Sequence, residues 1–486
     1  MKKSSAILSI ITLIALLMSI LTACTPGTTT ASTTASTTAG TTATTTAATT
    51  TEGTTASQTT ETTAPAGDEL EAATLRVWAH WGSEQRRPTV NKMVEGFNAL
   101  YADKGLKAEY VFVPFGDLET KLIASVTAGN PPNAAITAIE DVGVKAMRKQ
   151  STDITDYLQE GTRELYYDKY FDAVLYNDRV YALPFNTDTR LLFCNAKMMA
   201  EAGLPTAEDF KAQIKTWDDL FALTEKLDKK AADGTYEVFT FLPQIGNFGF
   251  GTLVFDNGGG HFDNPITPDK PTVNSAQNKE VLDYMKKWSD HYGQTEVQSL
   301  LNSAAGANDY FISGKVAIFG QVCNYIATIE KYGNTEGNEP FEYYAVPMPA
   351  GPSAPNGQYG AWGGGFVVNV PFGASNPKES TRFLEYFTGN EAATIWALEQ
   401  KDVMCNIVAN ENPELSKNAA WAAVLDIMPF TQSTRRHPFA PNAGSKVDEA
   451  VNKIVKDFTE TDTQKVLDEA QATIEKMIAD DKLIWG

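Results

Sequence analysis

Basic clusters, paired cysteines and metal-ligand spacings are what this chain lacks. Its formal charge is −20, with 60 Asp and Glu against 40 Lys and Arg. Nucleic acid is excluded as a partner, because phosphate binding needs clustered cations. So is docking on anionic lipid through a basic face. The four histidines, His80, His261, His291 and His437, are dispersed, with no H-E-x-x-H spacing. Neither a structural nor a catalytic metal is therefore signalled, and no cofactor is expected. There is no C-x-x-C, no G-x-S-x-G and no catalytic Cys/His arrangement. Cys24 falls in an N-terminal sorting signal, which leaves Cys194, Cys323 and Cys405. An odd number rules out a complete disulfide framework and favours buried free thiols.

What is present fits a soluble, multi-lobed body. The 486 residues are too many for one ordinary core, and 43% are hydrophobic and 10% aromatic, so two or more lobes are expected. Lys2 and Lys3 precede a largely apolar run, Ala6 to Leu21, shorter than the ~20 residues of a spanning helix. Leu21-Thr22-Ala23-Cys24 follows, small residues before a cysteine. It is similar to a bacterial lipobox, which makes residues 1–23 a signal peptide and Cys24 the lipidated first residue of the mature chain. From Thr25 to Ala66 the sequence is almost only Thr, Ala, Ser and Gly. Such a segment cannot bury enough apolar surface to fold, so residues 24–70 are expected to be a disordered tether. Its r.m.s. reach of roughly 35 Å would hold a body just off a membrane, touching it through the lipid on Cys24.

Folded sequence starts near Thr74. Leu75, Val77 and Trp78 predict a strand running into H-W-G-S-E. Val90, Met93, Val94, Phe97, Leu100 and Tyr101 predict a helix, Ala108 to Val113 a strand, and Leu118, Leu122 and Val126 another helix. Strand and helix alternating in this way predict α/β architecture with a mainly parallel sheet. The stretch Tyr181 to Asn195, Y-A-L-P-F-N-T-D-T-R-L-L-F-C-N, organises the rest. It sets Asp188 and Arg190 side by side before a buried strand, where a carboxylate and a guanidinium suit a cleft between two lobes better than a core. Thr216 is a plausible N-cap, and Asn376-Pro377 gives a cap with Pro at the first helical position. Leu467, Ala470, Ile474, Met477 and Ile478 define a last helix.

In order along the chain, H-W-G-S-E, A-G-N-P-P-N, A-L-P then L-L-F-C-N, E-A-G-L then K-T-W-D-D-L, G-K-V-A-I-F, V-P-M-P-A-G-P, W-G-G-G and V-L-D-E-A-Q together resemble the extracellular solute-binding proteins of carbohydrate ABC importers, the family of maltose-binding protein. The match runs from Thr74 to Ile478. Three departures stand out: Asn133 where the family usually has Asp, Cys194 where Tyr is usual, and Asn324 near where a cleft Trp is common. The resemblance implies a two-lobed α/β fold of the type II periplasmic-binding-protein kind with three hinge crossings, expected near 184–186, Gly320 and Phe372. Lobe 1 would then be residues 71–185 plus 321–373, and lobe 2 residues 186–320 plus 374–486. It implies a monomer that closes around a sugar and is recognised by a membrane permease.

A sugar cleft needs exposed aromatic faces and hydrogen-bonding side chains. Trp81 and Trp362, each beside glycine, are the expected stacking residues, with lobe packing as the alternative. Phe248 and Phe250 fit a platform or a lobe core equally. Asp188 matches the family's cleft carboxylate, with a hinge ion pair to Arg190 as its alternative. Thr137, Glu140 and Asp141 stand where the family places polar contacts, and Asn247, Arg436, His80, Glu84 and Gln321 complete the candidates. Trp81 and Trp362 are expected on one lobe and Asn247 on the other. A secreted glycoside hydrolase would need two carboxylates facing one bond, which 60 acidic residues supply without deciding anything. An adhesin would suit the tether but not the landmarks. The reading is a binding protein, not an enzyme.

Overall fold

The computed structural model describes residues 70–303, 309–334 and 340–485. The signal segment, Cys24 and the tether up to residue 69 lie outside the described residues. In β1 (Ala73–Ala79) Leu75, Val77 and Ala79 turn inward. In α1 (Arg86–Leu100) Val90, Met93, Val94 and Phe97 make one buried stripe. Next come β2 (Leu106–Phe112), α2 (Phe115–Thr127), β3 (Ala134–Ala138) and α3 (Val142–Met147), then β4 (Leu183–Thr187) and β5 (Arg190–Asn195). The middle of the chain supplies α4 (Gly249–Asp256), α5 (Ala276–Tyr292), β6 (Ile318–Val322) and β7 (Tyr343–Val346). After them come β8 (Ala361–Trp362), β9 (Gly365–Asn369), α6 (Pro377–Thr388), α7 (Asn390–Gln400) and β10 (Val403–Met404). The last elements used below are α8 (Ala420–Ile427), β11 (Thr431–Gln432), α9 (Ala443–Val455) and α10 (Thr463–Trp485).

Two sheets define two lobes. The first has six strands in the order β10-β4-β9-β3-β1-β2, and the second three in the order β6-β5-β7. β1 runs parallel to both β2 and β3, while β9 is antiparallel to β3 and β4. Asn133, the departure from Asp, ties this sheet together: its Oδ1 accepts the Arg76 N–H at 3.0 Å and its Nδ2 donates to Ser375 O at 2.8 Å. At Thr216 the predicted cap is a full capping box with Asp219. Cys194, Cys323 and Cys405 are free and buried. Burial pushes all three thiols up, away from reactivity.

The lobe boundaries differ from those expected. The first crossing is Asp188-Thr189, between β4 of one sheet and β5 of the other. Gly320 is not a crossing: it sits inside β6, paired with Leu192. β7, expected in lobe 1, pairs with β5 and belongs to lobe 2. The second crossing is Gly363-Gly364, ahead of Phe372, and it places Trp362 in lobe 2 with β11. Trp81 and Trp362 are therefore on different lobes, contrary to expectation. α6 and α7, expected in lobe 2, pack on the first sheet and on α1. The third crossing lies between β10 and α8, which packs on β7. Glycines let the first two crossings touch. A Cβ at Gly363 would lie 2.4 Å from Asp188 O, and one at Gly365 (φ +148) 2.3 Å from Asn186 O. Among the described residues, no helix is long and apolar enough to cross a membrane.

Candidate functional site

The two crossings form the floor of the site. Asp188 is ion-paired with Arg190, and its Oδ1 also accepts the Gly364 N–H at 2.9 Å. Arg190 donates through Nη1 to Trp362 O at 3.2 Å and through Nε to Asn247 O at 3.4 Å. Its guanidinium lies 4.2 Å over the Trp362 ring, whose Nε1 donates to Thr434 Oγ1 at 3.2 Å. Asn247 in turn donates to the Gln321 amide oxygen. The loop carrying Asn247 comes close to β6 because Gly246 (φ +72) and Gly320 leave room; a Cβ at Gly246 would stand 2.4 Å from Gly320 O. Three of the expected residues, Asp188, Trp362 and Asn247, thus contact one buried arginine, and a fourth, Gln321, joins them through Asn247.

At the end of β3 the carboxylates of Glu140 and Asp141 meet Arg436 of the other lobe. Arg436 Nε is 2.8 Å from Asp141 Oδ1, and the Arg436 N–H donates to Glu140 O at 3.1 Å. Burial first, then the adjacent Asp141 charge, raise the Glu140 carboxyl above the ordinary carboxylate range, against the pull of Arg436. Asp141 is raised by burial too, with Arg436 and then Lys145 opposing. In the folded protein Glu140 therefore keeps its proton at pH values where the unfolded chain has released it. The stability this contributes is complete below the unfolded pKa of ~4.3 and is lost as pH rises toward neutrality. Melting temperatures of wild type and Glu140→Gln should consequently converge at about pH 4 and separate at about pH 8, the variant being the more stable there. Equal separation at both pH values would contradict the assignment.

A cavity of about 770 Å³ opens beside this floor. Glu140, Asn247, Phe248, Phe250, Trp362 and Arg436 are among its lining residues, with most of the wall drawn from lobe 2. Other expected site residues fall elsewhere. Trp81 is 1% exposed and packs on Trp396, with ring centroids 4.3 Å apart, and on Phe185 at 5.3 Å. It is a core residue, because the strand before it carries its ring inward under α7. Thr137 is buried on β3 with its hydroxyl 3.4 Å from Asn369 Oδ1, and so is not free for a ligand. Phe248 and Phe250 are 3% and 2% exposed, which selects the lobe-core alternative for both. Glu84 sits exposed in the turn before α1.

His80 belongs to an aromatic face on lobe 1. Its ring lies 4.6 Å from Phe366 and 5.0 Å from Phe115, and Phe115 is 67% exposed. Burial, then Arg86, push the His80 pKa down to about 4, so the imidazole is neutral at physiological pH. Phe115 and Phe366 are the residues the sequence reading missed. A signal for Phe115 existed: an aromatic straight after Val113-Pro114, where a strand ends and a helix begins. Among the described residues there is no cluster of His, Cys, Asp and Glu able to hold a metal ion.

Comparison with known proteins bears on this geometry. The family profile described as "Bacterial extracellular solute-binding protein" matches residues 92–424. An uncharacterized ABC transporter extracellular-binding protein of Pyrococcus horikoshii is 24% identical over 307 residues, 60% of this chain and 64% of that protein, so the match spans less than two thirds of the relative. The maltotriose-binding protein of Pyrococcus abyssi is 22% identical over 400 residues, 79% of this chain and 78% of its own length. Among solved structures, CpMnBP1 with mannotriose bound superposes with a TM-score of 0.72 at 20% identity, covering 82% of this chain and 99% of that one. The fold shared with such structures is the two-lobed type II periplasmic-binding-protein fold.

Proposed function

The chain belongs to the bacterial extracellular solute-binding protein family, a family of binding proteins rather than enzymes, and from that premise we propose that it captures a sugar or oligosaccharide between its lobes for an ABC permease. The observation that carries this reading is the cavity beside the crossings, lined by the Trp362 ring and by the polar side chains of Glu140, Asn247 and Arg436. Trp362, stiffened by Arg190, and the exposed Phe115 offer ring faces to the CH surface of a sugar. Asn247, Gln321 and the Glu140–Asp141–Arg436 group offer donors and acceptors to hydroxyl edges. The carboxylate and guanidinium groups at the floor are already paired with one another, which favours a neutral ligand over a charged one. Relatives named for maltotriose binding or solved with mannotriose bound agree with that chemistry. The protein acts as a monomer on the outer face of the membrane, held by lipid on Cys24 and the tether, and closes around its ligand by rotation at the three crossings.

The test is a screen of glycans against the body from Asp68 onward, read by melting temperature and small-angle scattering. A ligand at 100 times its Kd should contribute about 2.7 kcal/mol. At roughly 2–4 °C per kcal/mol that is a rise of several degrees. The radius of gyration should fall on binding, and the sugar should be recovered unchanged. Tight binding without a change in scattering would mean a rigid cleft and would remove the importer mechanism. Recovery of a cleaved sugar would make the protein an enzyme.

A further inference from the structure

α10 outlasts the lobe it belongs to. It packs on α9 and α5 of lobe 2 and buries Val466, Leu467, Ala470 and Ile474, but no residue after Ile474 is buried. Its last turns reach lobe 1 instead. Arg148, at the end of α3 on lobe 1, is ion-paired with Asp481 and donates through Nη2 to Pro438 O at 3.0 Å. Its guanidinium also lies 5.4 Å from the centre of the Trp485 ring, within the range of a cation–π contact. On the next residue after Asp481, Lys482 lies 5.6 Å over the Phe439 ring, which fastens the helix end to its own lobe. The Arg148 and Asp481 side chains are only 16% and 27% exposed, and Arg148 Nε is buried with no hydrogen-bond partner among the described residues. An unmet buried donor costs stability, so reinforcement of the fold is a poor account of this contact. Two further arginines cross the same boundary from the other side. Arg435 Nη2 donates to Asp172 O of lobe 1 at 2.9 Å, and Arg436 meets Asp141. Pro438 follows them by two residues, so the row of guanidiniums begins at the cavity wall, lined by Glu140 and Arg436, and ends at α10.

We propose that Arg148 and the end of α10 form a latch that holds the lobes together before a ligand arrives and so sets the affinity of the cavity. The proposal rests on the two-lobed closure described above, but not on the ligand being a sugar. Asp481, Pro438 and Trp485 are all on lobe 2, so a rotation that opens the cavity parts Arg148 from the three together. An arginine suits this place because one planar guanidinium can pair with a carboxylate, donate to a carbonyl and cover a ring at once, which a lysine cannot. With the latch made, a ligand meets lobes that are already in the closed arrangement. Without it, the closed fraction falls, and apparent affinity falls by the same factor.

The experiment measures the distance between the lobes with no ligand present, by pulsed electron resonance between two spin labels. They are placed by Asp117→Cys on lobe 1 and Thr267→Cys on lobe 2, both exposed positions, in the full chain carrying Cys24→Ser. Cys194, Cys323 and Cys405 are buried and take no label. Arg148→Met should lengthen the distance between the labels, and Asp481→Asn should lengthen it less, since the Pro438 and Trp485 contacts remain. Adding Asp481→Asn to Arg148→Met should change nothing further, as expected of two partners in one contact. Each variant is checked for folding by its melting curve, and if Arg148→Met does not fold, the isosteric Asp481→Asn decides. A distance that stays the same or shortens would overturn the latch. Glycans retained by wild type in the screen above should bind Arg148→Met about fivefold or more weakly; equal or tighter binding would overturn it as well. The distance measurement needs no sugar, so failure of the carbohydrate reading and failure of the latch are told apart.

Discussion

Trp81→Ala should destabilise the protein by ~3–5 kcal/mol, the cost of removing a large aromatic from a closed core. Trp81 is 1% exposed, and its ring is enclosed by Trp396, Phe185, Phe366 and Phe387. These neighbours come from β4, β9, α6 and α7, so the space left behind would be shared by four elements and could not collapse by moving one. Denaturant unfolding measures the loss directly. The exposed Phe115 supplies the contrast. Phe115→Ala should change stability by no more than about 0.5 kcal/mol, yet weaken sugar binding by roughly 1 kcal/mol or more through the lost ring face. If Trp81→Ala were to lower affinity while leaving the unfolding midpoint in place, Trp81 would be a ligand platform after all and its burial would have been misjudged.

That contrast shows what local sequence carries and what it does not. The period of apolar residues marks α1 and β1 because each buries one stripe or one face, and the pattern exists before any partner is known. The same holds for Thr216, whose cap is closed by Asp219 three residues on. Trp81 misleads because a tryptophan beside Gly82 has the same local sequence whether its ring points to solvent or to α7, an element more than 300 residues away in the chain. The lobe boundaries fail for the same reason. Y-Y-A-V is legible as a strand, but its pairing with β5 rather than with the first sheet depends on long-range register. The motif W-G-G-G was legible as important and not as a crossing; its glycines are needed because Gly363 and Gly365 pass within contact of the Asp188 and Asn186 carbonyls. Asp188 pairs with Arg190, and Glu140 and Asp141 with Arg436, because charges that cannot be left unpaired in a core collect where two lobes meet.

Arg190 holds the floor of the first crossing through Asp188, and its replacement carries the second large effect. Its side chain is 8% exposed and that of its partner Asp188 14%. Arg190→Met keeps the length and apolar stem but leaves a buried carboxylate with only the Gly364 N–H to hold it. Breaking a buried pair from one side in this way is expected to cost ~3–5 kcal/mol. The same substitution frees Asn247 and Trp362 from the donors and the cation that fix them, so affinity for any sugar should fall along with stability. Removing both charges, as Arg190→Met with Asp188→Asn, should recover part of the stability, since no unpaired ion then remains. It should not recover the binding, because the Trp362 ring stays unsupported. A double-mutant cycle read by denaturant unfolding separates the two. A coupling energy near zero would mean that Asp188 and Arg190 are each solvated on their own, and the crossing would then have no paired floor on which a ligand could be held.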